Sequence, residues 1–252
     1  MTAKDLSYIL RRLQLGSVEA GLPTLYEQAK AENWGYDQFL YAALETAATT
    51  RAERALERRI RDAGFPSTTK TLDSYDFAAQ PGLKKAVILQ LATMEFVRQR
   101  GAAIFLGPTG TGKTHLSIGL GVKACQAGFT VRFTTAADLI ATLTQAHRQH
   151  RLDAALRLYT KPALLICDEL GYIPFDADGA ALFFQLVSRR YEKASMIVSS
   201  NAPFSSWSET FGNATAASAI IDRLVHHAEI VVLKGNSYRL RGKEQVLSRE
   251  RV

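Results

Sequence analysis

The chain has 252 residues, of which 47% are hydrophobic and 22% are charged. This apolar content excludes a chain that is disordered along most of its length, and no apolar run approaches the roughly 18 residues that a membrane span needs. Lysine and arginine number 31 against 24 acidic residues, a net charge of +7 that favours a polyanionic partner.

Residues 1–64 are predicted to form a helical domain, because apolar residues recur at helical spacing, most clearly between Asp37 and Asp62. Gly64 supplies a helix stop, and Pro66 cannot continue the helix. Arginines crowd the last turns and form either a solvated face that offsets the helix dipole or a surface for DNA or a partner. They are Arg51, Arg54, Arg58, Arg59 and Arg61.

Residues 65–82 are predicted to be a linker, since they are rich in Gly, Pro, Ser and Thr and have no period. Its aromatic pair, Tyr75 and Phe77, is expected to dock onto another part of the chain. From residue 83 to residue 252, strands alternate with helices, a pattern that predicts an α/β domain with a parallel five-stranded sheet between helices. The strands are predicted to begin near Ala102, Thr130, Ala163, Ser195 and Glu229.

The first residues and the cysteines indicate a cytoplasmic protein. Charged residues interrupt the first 15 residues, so no signal peptide is expected. Cys125 and Cys167 are too few for a disulfide framework, and no Cys/His cluster has zinc spacing. The histidines are expected at the surface or at helix ends rather than as metal ligands.

The strongest motif fits G-x-x-x-x-G-K-[ST] and lies between a predicted strand and a predicted helix. Its glycines let backbone N–H groups turn toward a phosphate, and the helix N-terminus adds a partial positive charge. The motif predicts that Lys113 reaches the β and γ phosphates of a nucleotide and that the hydroxyl of Thr114 holds Mg²⁺. The predicted nucleotide-binding residues are Gly107, Pro108, Thr109, Gly110, Thr111, Gly112, Lys113 and Thr114.

Two adjacent acids end the apolar strand ALLICDE, at the edge where open α/β sheets bind ligands. Asp168 is predicted to bind the magnesium shell, and Glu169 is predicted to polarise a water for attack on the γ-phosphate. A small-molecule kinase has an organic acceptor and does not need the second acid, so the pair favours hydrolysis.

Two further residues are candidates for roles at the γ-phosphate. Asn201 ends the strand MIVSSN and either orients the attacking water or starts the turn before Pro203. Arg223 either acts on the site of a neighbouring subunit, where such an arginine accelerates the reaction about 10³–10⁵-fold, or forms a local ion pair with Asp222.

Four segments together resemble the IstB-type transposition helper ATPases, AAA+ proteins of bacterial insertion sequences that are related to the DnaC-type helicase loaders. The segments are GPTGTGKTHLSIGLG, LLICDELGYIPFD, RRYEKASMIVSSNAPFSSW and AIIDRLVHHAEIVVLKGNSYRLR. The resemblance implies Walker A roles for Lys113 and Thr114 and Walker B roles for Asp168 and Glu169. It also implies that Asn201 is the first sensor and Arg223 the arginine finger, in an AAA+ ATPase domain at residues 83–252.

The resemblance further implies an ATP- and Mg²⁺-dependent homo-oligomer on double-stranded DNA. This oligomer bends the DNA and recruits and stimulates a cognate transposase, without a membrane and in contact with the bacterial nucleoid. About 19 residues follow Leu233, too few for the separate helical lid of most AAA+ proteins, so a neighbouring subunit is expected to complete the site. Arg239 is an additional candidate for a phosphate contact.

DNA contacts are expected from Arg148 and Arg151 between the second and third strands, or from Tyr172 and Phe175 after the acidic pair. Such contacts would be made to the phosphates of the DNA backbone, so the affinity for DNA would fall steeply as the salt concentration rises. The alternative function is helicase loading, in which residues 1–64 bind another ring ATPase. A small-molecule P-loop kinase is disfavoured by Glu169, Asn201 and Arg223.

Overall fold

The protein is described by a computed structural model that covers residues 3–235, 237 and 238. The chain divides into two compact units, the first ending at Arg58 and the second starting at Arg59. This division falls inside a helix, six residues before the domain boundary that we expect at residue 64. Among the helices that the structure describes, none is both long and apolar enough to cross a membrane.

The first unit is helical, as its periodicity predicts. It contains α1 (Ala3–Arg12), α2 (Gly16–Ala31) and most of α3 (Tyr36–Ala63). Leu10 of α1, Val18 and Leu25 of α2, and Ala43 and Ala47 of α3 form a small buried core.

The second unit carries a parallel five-stranded sheet in the order β2-β3-β4-β1-β5. The predicted fold class is therefore confirmed. The strands are β1 (Ala102–Leu106), β2 (Val131–Thr135), β3 (Leu164–Leu170), β4 (Ser195–Ser200) and β5 (Ala228–Val232). The helices are α4 (Lys85–Leu91), α5 (Glu95–Arg98), α6 (Lys113–Gln126), α7 (Ala136–Arg148), α8 (Leu152–Thr160), α9 (Ala177–Arg190), α10 (Trp207–Thr210) and α11 (Ala214–Val225).

Both faces of the sheet are covered, because alternate residues of the central strands enter two separate apolar layers. Leu165 and Cys167 of β3 belong to the core that includes residues of α7, α8, α9 and α11. Ile166, between them, meets α6 on the opposite face, where a Cβ on Gly121 would lie 2.7 Å from the Ile166 Cδ1 atom. Gly121 thus allows α6 to approach the sheet closely.

A buried arginine joins the amino ends of β3 and β4. Arg190, at the end of α9, is 1% exposed and donates hydrogen bonds to the backbone oxygens of Tyr159, at 2.6 Å, and Pro162, at 3.0 Å. It also donates to the backbone oxygen of Ser195. Burial lowers the pKa of Arg190 to about 9. The guanidinium thus supplies hydrogen-bond donors to backbone oxygens that are buried away from water.

The structure differs from the predicted elements in two places. Helical periodicity from about Leu83 to Gln99 predicts one helix there. The structure has two, α4 and α5, because Met94 takes a left-handed conformation with φ +62° and buries its side chain. The short helix α10 follows a 3-10 turn (Phe204–Ser206) in a stretch for which no element is predicted. Trp207 of α10 is fully buried beside Phe204 and Phe211, and this packing holds the short helix.

Candidate functional site

The loop between β1 and α6 has the conformation of a phosphate-binding loop. Gly107, Gly110 and Gly112 have φ values of +149°, +82° and +100°, which residues with a side chain rarely adopt. A Cβ on Gly112 would also lie 2.8 Å from the ring of Tyr75, so a side chain does not fit there. The first N–H groups of α6 have no partner within the helix and attract an anion.

Lys113 lies folded over this loop. Its ammonium group donates hydrogen bonds of 2.6 Å to the backbone oxygen of Gly107 and 2.8 Å to that of Pro108, and the side chain is 7% exposed. The charge is therefore held at the loop that the motif assigns to the phosphates.

Thr114 and Asp168 meet at the carboxyl edge of the sheet. The Thr114 hydroxyl donates a 2.8 Å hydrogen bond to Oδ2 of Asp168, and Oδ1 of Asp168 accepts a hydrogen bond from the Ser199 hydroxyl. Asp168 is 2% exposed. Hydroxyl and carboxylate oxygens are the hard ligands that Mg²⁺ prefers, so these two residues suit that ion.

Glu169 interrupts the pairing of β3 with β4. Its φ of +62° is left-handed, and the strand register shifts between Cys167 and Leu170. The backbone N–H of Glu169 donates a 3.1 Å hydrogen bond to Oγ of Ser199. This irregularity leaves the carboxylate exposed in the same cavity that the loop before α6 lines. The two acids thus lie in different environments, Asp168 buried and Glu169 exposed.

A cavity of about 240 Å³ lies against the phosphate-binding loop. Residues 109–115 form one wall together with Glu169 and Ser199. The opposite wall comes from the segment that precedes β1, for which composition alone predicts a linker. Its lining residues are Lys70, Ser74, Tyr75, Asp76, Ala79 and Gln80.

Contacts with α6 and its loop hold this second wall in place. The Tyr75 hydroxyl donates a 3.4 Å hydrogen bond to the backbone oxygen of Thr111, and burial raises the pKa of Tyr75 to about 12. His115 Nε2 lies 2.8 Å from the backbone oxygen of Thr71 and 3.2 Å from Oγ of Ser74. The predicted docking of Tyr75 thus has a partner in the structure, the loop before α6.

Asn201 lies directly after β4, as its motif predicts. Its side-chain oxygen is buried and has no hydrogen-bond partner among the residues that the structure describes. Ser199, two residues earlier, lines the cavity, whereas Asn201 is not among the lining residues. The sensor role of Asn201 stays a prediction.

Arg223 lies at the opposite edge of the sheet from the phosphate-binding loop. Its guanidinium stacks on Phe184, 4.7 Å from the ring centre, and donates a 3.0 Å hydrogen bond to the backbone oxygen of Ala219. It lines a depression with Ala102 and Met196, at the amino ends of β1 and β4. The amino ends of the strands lie about 16 Å, the length of a five-residue strand, from the carboxyl ends where the phosphate-binding loop begins.

The four candidate DNA-binding residues do not lie together. Arg148 and Arg151 are exposed and line an open cleft at the turn between α7 and α8. The Tyr172 hydroxyl instead lies 2.6 Å from the Thr109 hydroxyl of the phosphate-binding loop. Phe175 packs edge-on against Phe211, with ring centres 5.5 Å apart.

One further group of side chains has metal-ligand geometry. The ligand atoms of Glu192, His226 and His227 lie within 4.8 Å of one another, a proximity that sequence spacing does not reveal. All three are exposed, and Arg100 and Arg223 line the adjoining depression, so neighbouring positive charge opposes a cation there. We assign no ion to this group. Arg239 lies outside the described residues.

Sequence reasoning missed Ser199 and the wall formed by residues 70–80. Ser199 lies opposite the acidic pair because β3 and β4 are neighbours whose carboxyl ends meet, and one sequence does not record this order of strands. No periodic signal marks residues 70–80, because an irregular segment has none.

Comparison with known proteins places these features in a family. The sequence model of the family described as IstB-like ATP binding protein matches residues 9–246. The chain is 43% identical over 241 residues to an ATP-binding protein of insertion sequence IS21 from Pseudomonas aeruginosa, covering 96% of this chain and 91% of that protein. It is 39% identical to an ATP-binding protein of insertion sequence IS5376 from Geobacillus stearothermophilus, covering 92% of each.

Solved structures share the fold at low sequence identity. A DNA replication initiation factor has a TM-score of 0.56 at 18% identity, covering 73% of this chain and 56% of that chain. DnaI has a TM-score of 0.54 at 16% identity and covers 66% of this chain and 89% of its own. The DnaC helicase loader has a TM-score of 0.50 at 20% identity and covers 66% and 97%.

Proposed function

Because the chain belongs to the family of IstB-like ATP-binding proteins, we propose that it is an ATPase that assembles on double-stranded target DNA, remodels that DNA, and recruits and stimulates a partner transposase. The single observation that supports hydrolysis is the chain of contacts from Thr114 through Asp168 and Ser199 to the backbone of Glu169. It sets the buried carboxylate of Asp168 beside the exposed carboxylate of Glu169, which lines the cavity.

Each residue has a separate task in this mechanism. The loop before α6 and Lys113 would hold the β and γ phosphates. Thr114 and Asp168 would hold Mg²⁺, and the ion would offset phosphate charge. Glu169 accepts the proton of the water that attacks the γ-phosphate. Ser199 keeps both acids in register, and Asn201 orients the attacking water.

The position of Arg223 supports an oligomer. Because it lies at the far edge of the sheet from Lys113, the finger of one copy serves the cavity of the next copy. ATP binding then favours assembly, since a bound triphosphate gives neighbouring copies a shared ligand.

The α7–α8 turn supports a DNA contact. Arg148 and Arg151 form no ion pair within the described part of the chain, and the nearby Asp153 is neutralised by Arg189 at 2.8 Å. A cleft with this charge suits phosphates and carries no base-reading motif, so we propose binding that is independent of DNA sequence.

The transposase as partner rests on the insertion-sequence relatives, which are 37–43% identical over most of their length. Helicase loading is the weaker candidate, because the DnaC and DnaI likenesses are 16–20% identical and concern the fold alone. On this proposal the protein acts in the bacterial cytoplasm, on the nucleoid.

ATP turnover measured across protein concentrations, with and without duplex DNA, tests the proposal. We expect the rate per chain to rise with protein concentration and with DNA, alongside DNA-bound oligomers in electron micrographs. A rate per chain that ignores both would contradict it.

A further inference from the structure

Gln80 is buried in the wall of the cavity that faces the phosphate-binding loop. Its side chain is 4% exposed and belongs to the lining of the cavity. The side-chain oxygen has no hydrogen-bond partner among the residues that the structure describes. Buried acceptors in native proteins are nearly always satisfied, so an unpaired one in a cavity wall indicates a missing donor.

The backbone around Gln80 is fixed, which makes its amide a defined feature of the cavity. The N–H of Gln80 donates a 3.1 Å hydrogen bond to the backbone oxygen of Phe77, and its own backbone oxygen accepts one of 2.9 Å from Leu83. The first bond closes the 3-10 turn Phe77–Ala79, and the second lies between this turn and α4. The unpaired oxygen therefore belongs to an ordered turn.

In the proposed nucleotide site, the donor that fits belongs to the part of the nucleotide that is remote from the phosphates. The phosphates are assigned to the loop at residues 107–114, and a carbonyl-type oxygen repels them in any case. Away from the phosphates, ATP offers donors at the ribose hydroxyls and at the 6-amino group of adenine. A glutamine amide pairs with adenine through two hydrogen bonds, accepting from N6 and donating to N7.

We propose that Gln80 selects adenine by accepting a hydrogen bond from its 6-amino group. This inference rests on the proposed nucleotide site and adds a specificity-determining residue to it. Guanine presents acceptors at both O6 and N7, so the amide can donate to them but its oxygen stays unpaired. The cavity wall at residues 70–80 thus recognises the base, while the loop before α6 binds the phosphates.

Binding of four nucleotides to the full chain tests this assignment by calorimetry. ATP, GTP, 2′-deoxy-ATP and purine riboside triphosphate, which lacks the 6-amino group, are each titrated. We expect ATP to bind about tenfold more tightly than GTP and the purine analogue, the effect of one buried hydrogen bond, and 2′-deoxy-ATP to bind like ATP. The variant Gln80→Leu should bind ATP about tenfold more weakly while its affinity for the purine analogue is unchanged.

The matched control is Gln90→Leu, which alters an exposed glutamine of α4 and should keep the full preference for ATP. Equal affinity of the unaltered chain for ATP and the purine analogue would overturn the assignment without any variant. So would a loss of affinity for 2′-deoxy-ATP instead of the purine analogue. If none of the four nucleotides binds, the proposed nucleotide site itself fails, which is a different result.

Discussion

The hydroxyl oxygen of Ser199 accepts a 3.1 Å hydrogen bond from the backbone N–H of Glu169. This contact joins β4 to the residue at which β3 departs from regular pairing, where Glu169 has a φ of +62°. Because Ser199 also donates to Asp168, one hydroxyl sets the positions of both acids.

Replacing Ser199 with alanine is expected to lower the ATPase kcat about tenfold and to leave the KM for ATP within about twofold. Residues that orient a metal ligand typically contribute 10–100-fold, and no contact to the phosphate-binding loop is lost. Steady-state ATPase assays check this. The control is Ser195→Ala, whose hydroxyl bonds the backbone oxygens of Phe96 and Val97 at the other end of the strand. A KM effect without a kcat effect would contradict the positioning role.

Replacing Glu169 with glutamine should preserve ATP binding but reduce turnover at least about 100-fold, because the amide cannot accept the proton of the attacking water. Oligomers formed with ATP should then persist, which native mass measurements over time can follow. Glu209→Gln on α10 is the control and should turn over ATP normally. Rapid turnover by Glu169→Gln would remove this residue as the base.

Mixing two inactive variants tests whether Arg223 acts between copies. Arg223→Ala keeps Lys113, and Lys113→Ala keeps Arg223, so interfaces in a mixed oligomer that bring the two intact residues together should be active. Random assembly of equal amounts makes about a quarter of the interfaces competent, and the ATPase rate should recover to that order. If the rate stays at the level of the separate variants at every ratio, Arg223 has no role across the interface.

Reversing two charges at the α7–α8 turn should weaken DNA binding at least about tenfold. With Arg148→Glu and Arg151→Glu combined, the slope of log K against log salt should fall by about two, one for each lost phosphate contact. Fluorescence anisotropy with a labelled duplex at several salt concentrations measures both quantities. The control reverses two exposed lysines, Lys84 and Lys193, and should keep the slope. An unchanged slope in the arginine variant would mean that DNA binds at another surface of the protein.

Replacing Arg190 with methionine should lower the free energy of unfolding by about 2–4 kcal/mol, since its carbonyl partners stay buried without a donor. Urea denaturation compares the two chains. The neighbouring Arg189→Met removes only an exposed pair with Asp153 and should cost under about 1 kcal/mol. Equal losses for the two variants would contradict the structural role of Arg190.

The sequence predicts the sheet, its flanking helices and the Walker segments. Strands that alternate with helices, and the spacing of glycines in the motif, are signals that short stretches of sequence carry. The break at Met94 was not predictable, since a left-handed methionine leaves no periodic mark. The same holds for Ser199 and for the wall that contains Gln80. Their importance depends on which strand or turn lies opposite them, and a single sequence does not record that.

Lys113 already bonds the backbone oxygens of Gly107 and Pro108. Phosphate oxygens that bind this ammonium group compete with these carbonyl oxygens for its three N–H donors, so the net gain is the difference between new and old bonds. Gly107 and Pro108 thereby tie the position of the ammonium group to the backbone of the loop. A substitution that shifts this backbone therefore also shifts the charge that faces the phosphates, even when Lys113 itself is unchanged.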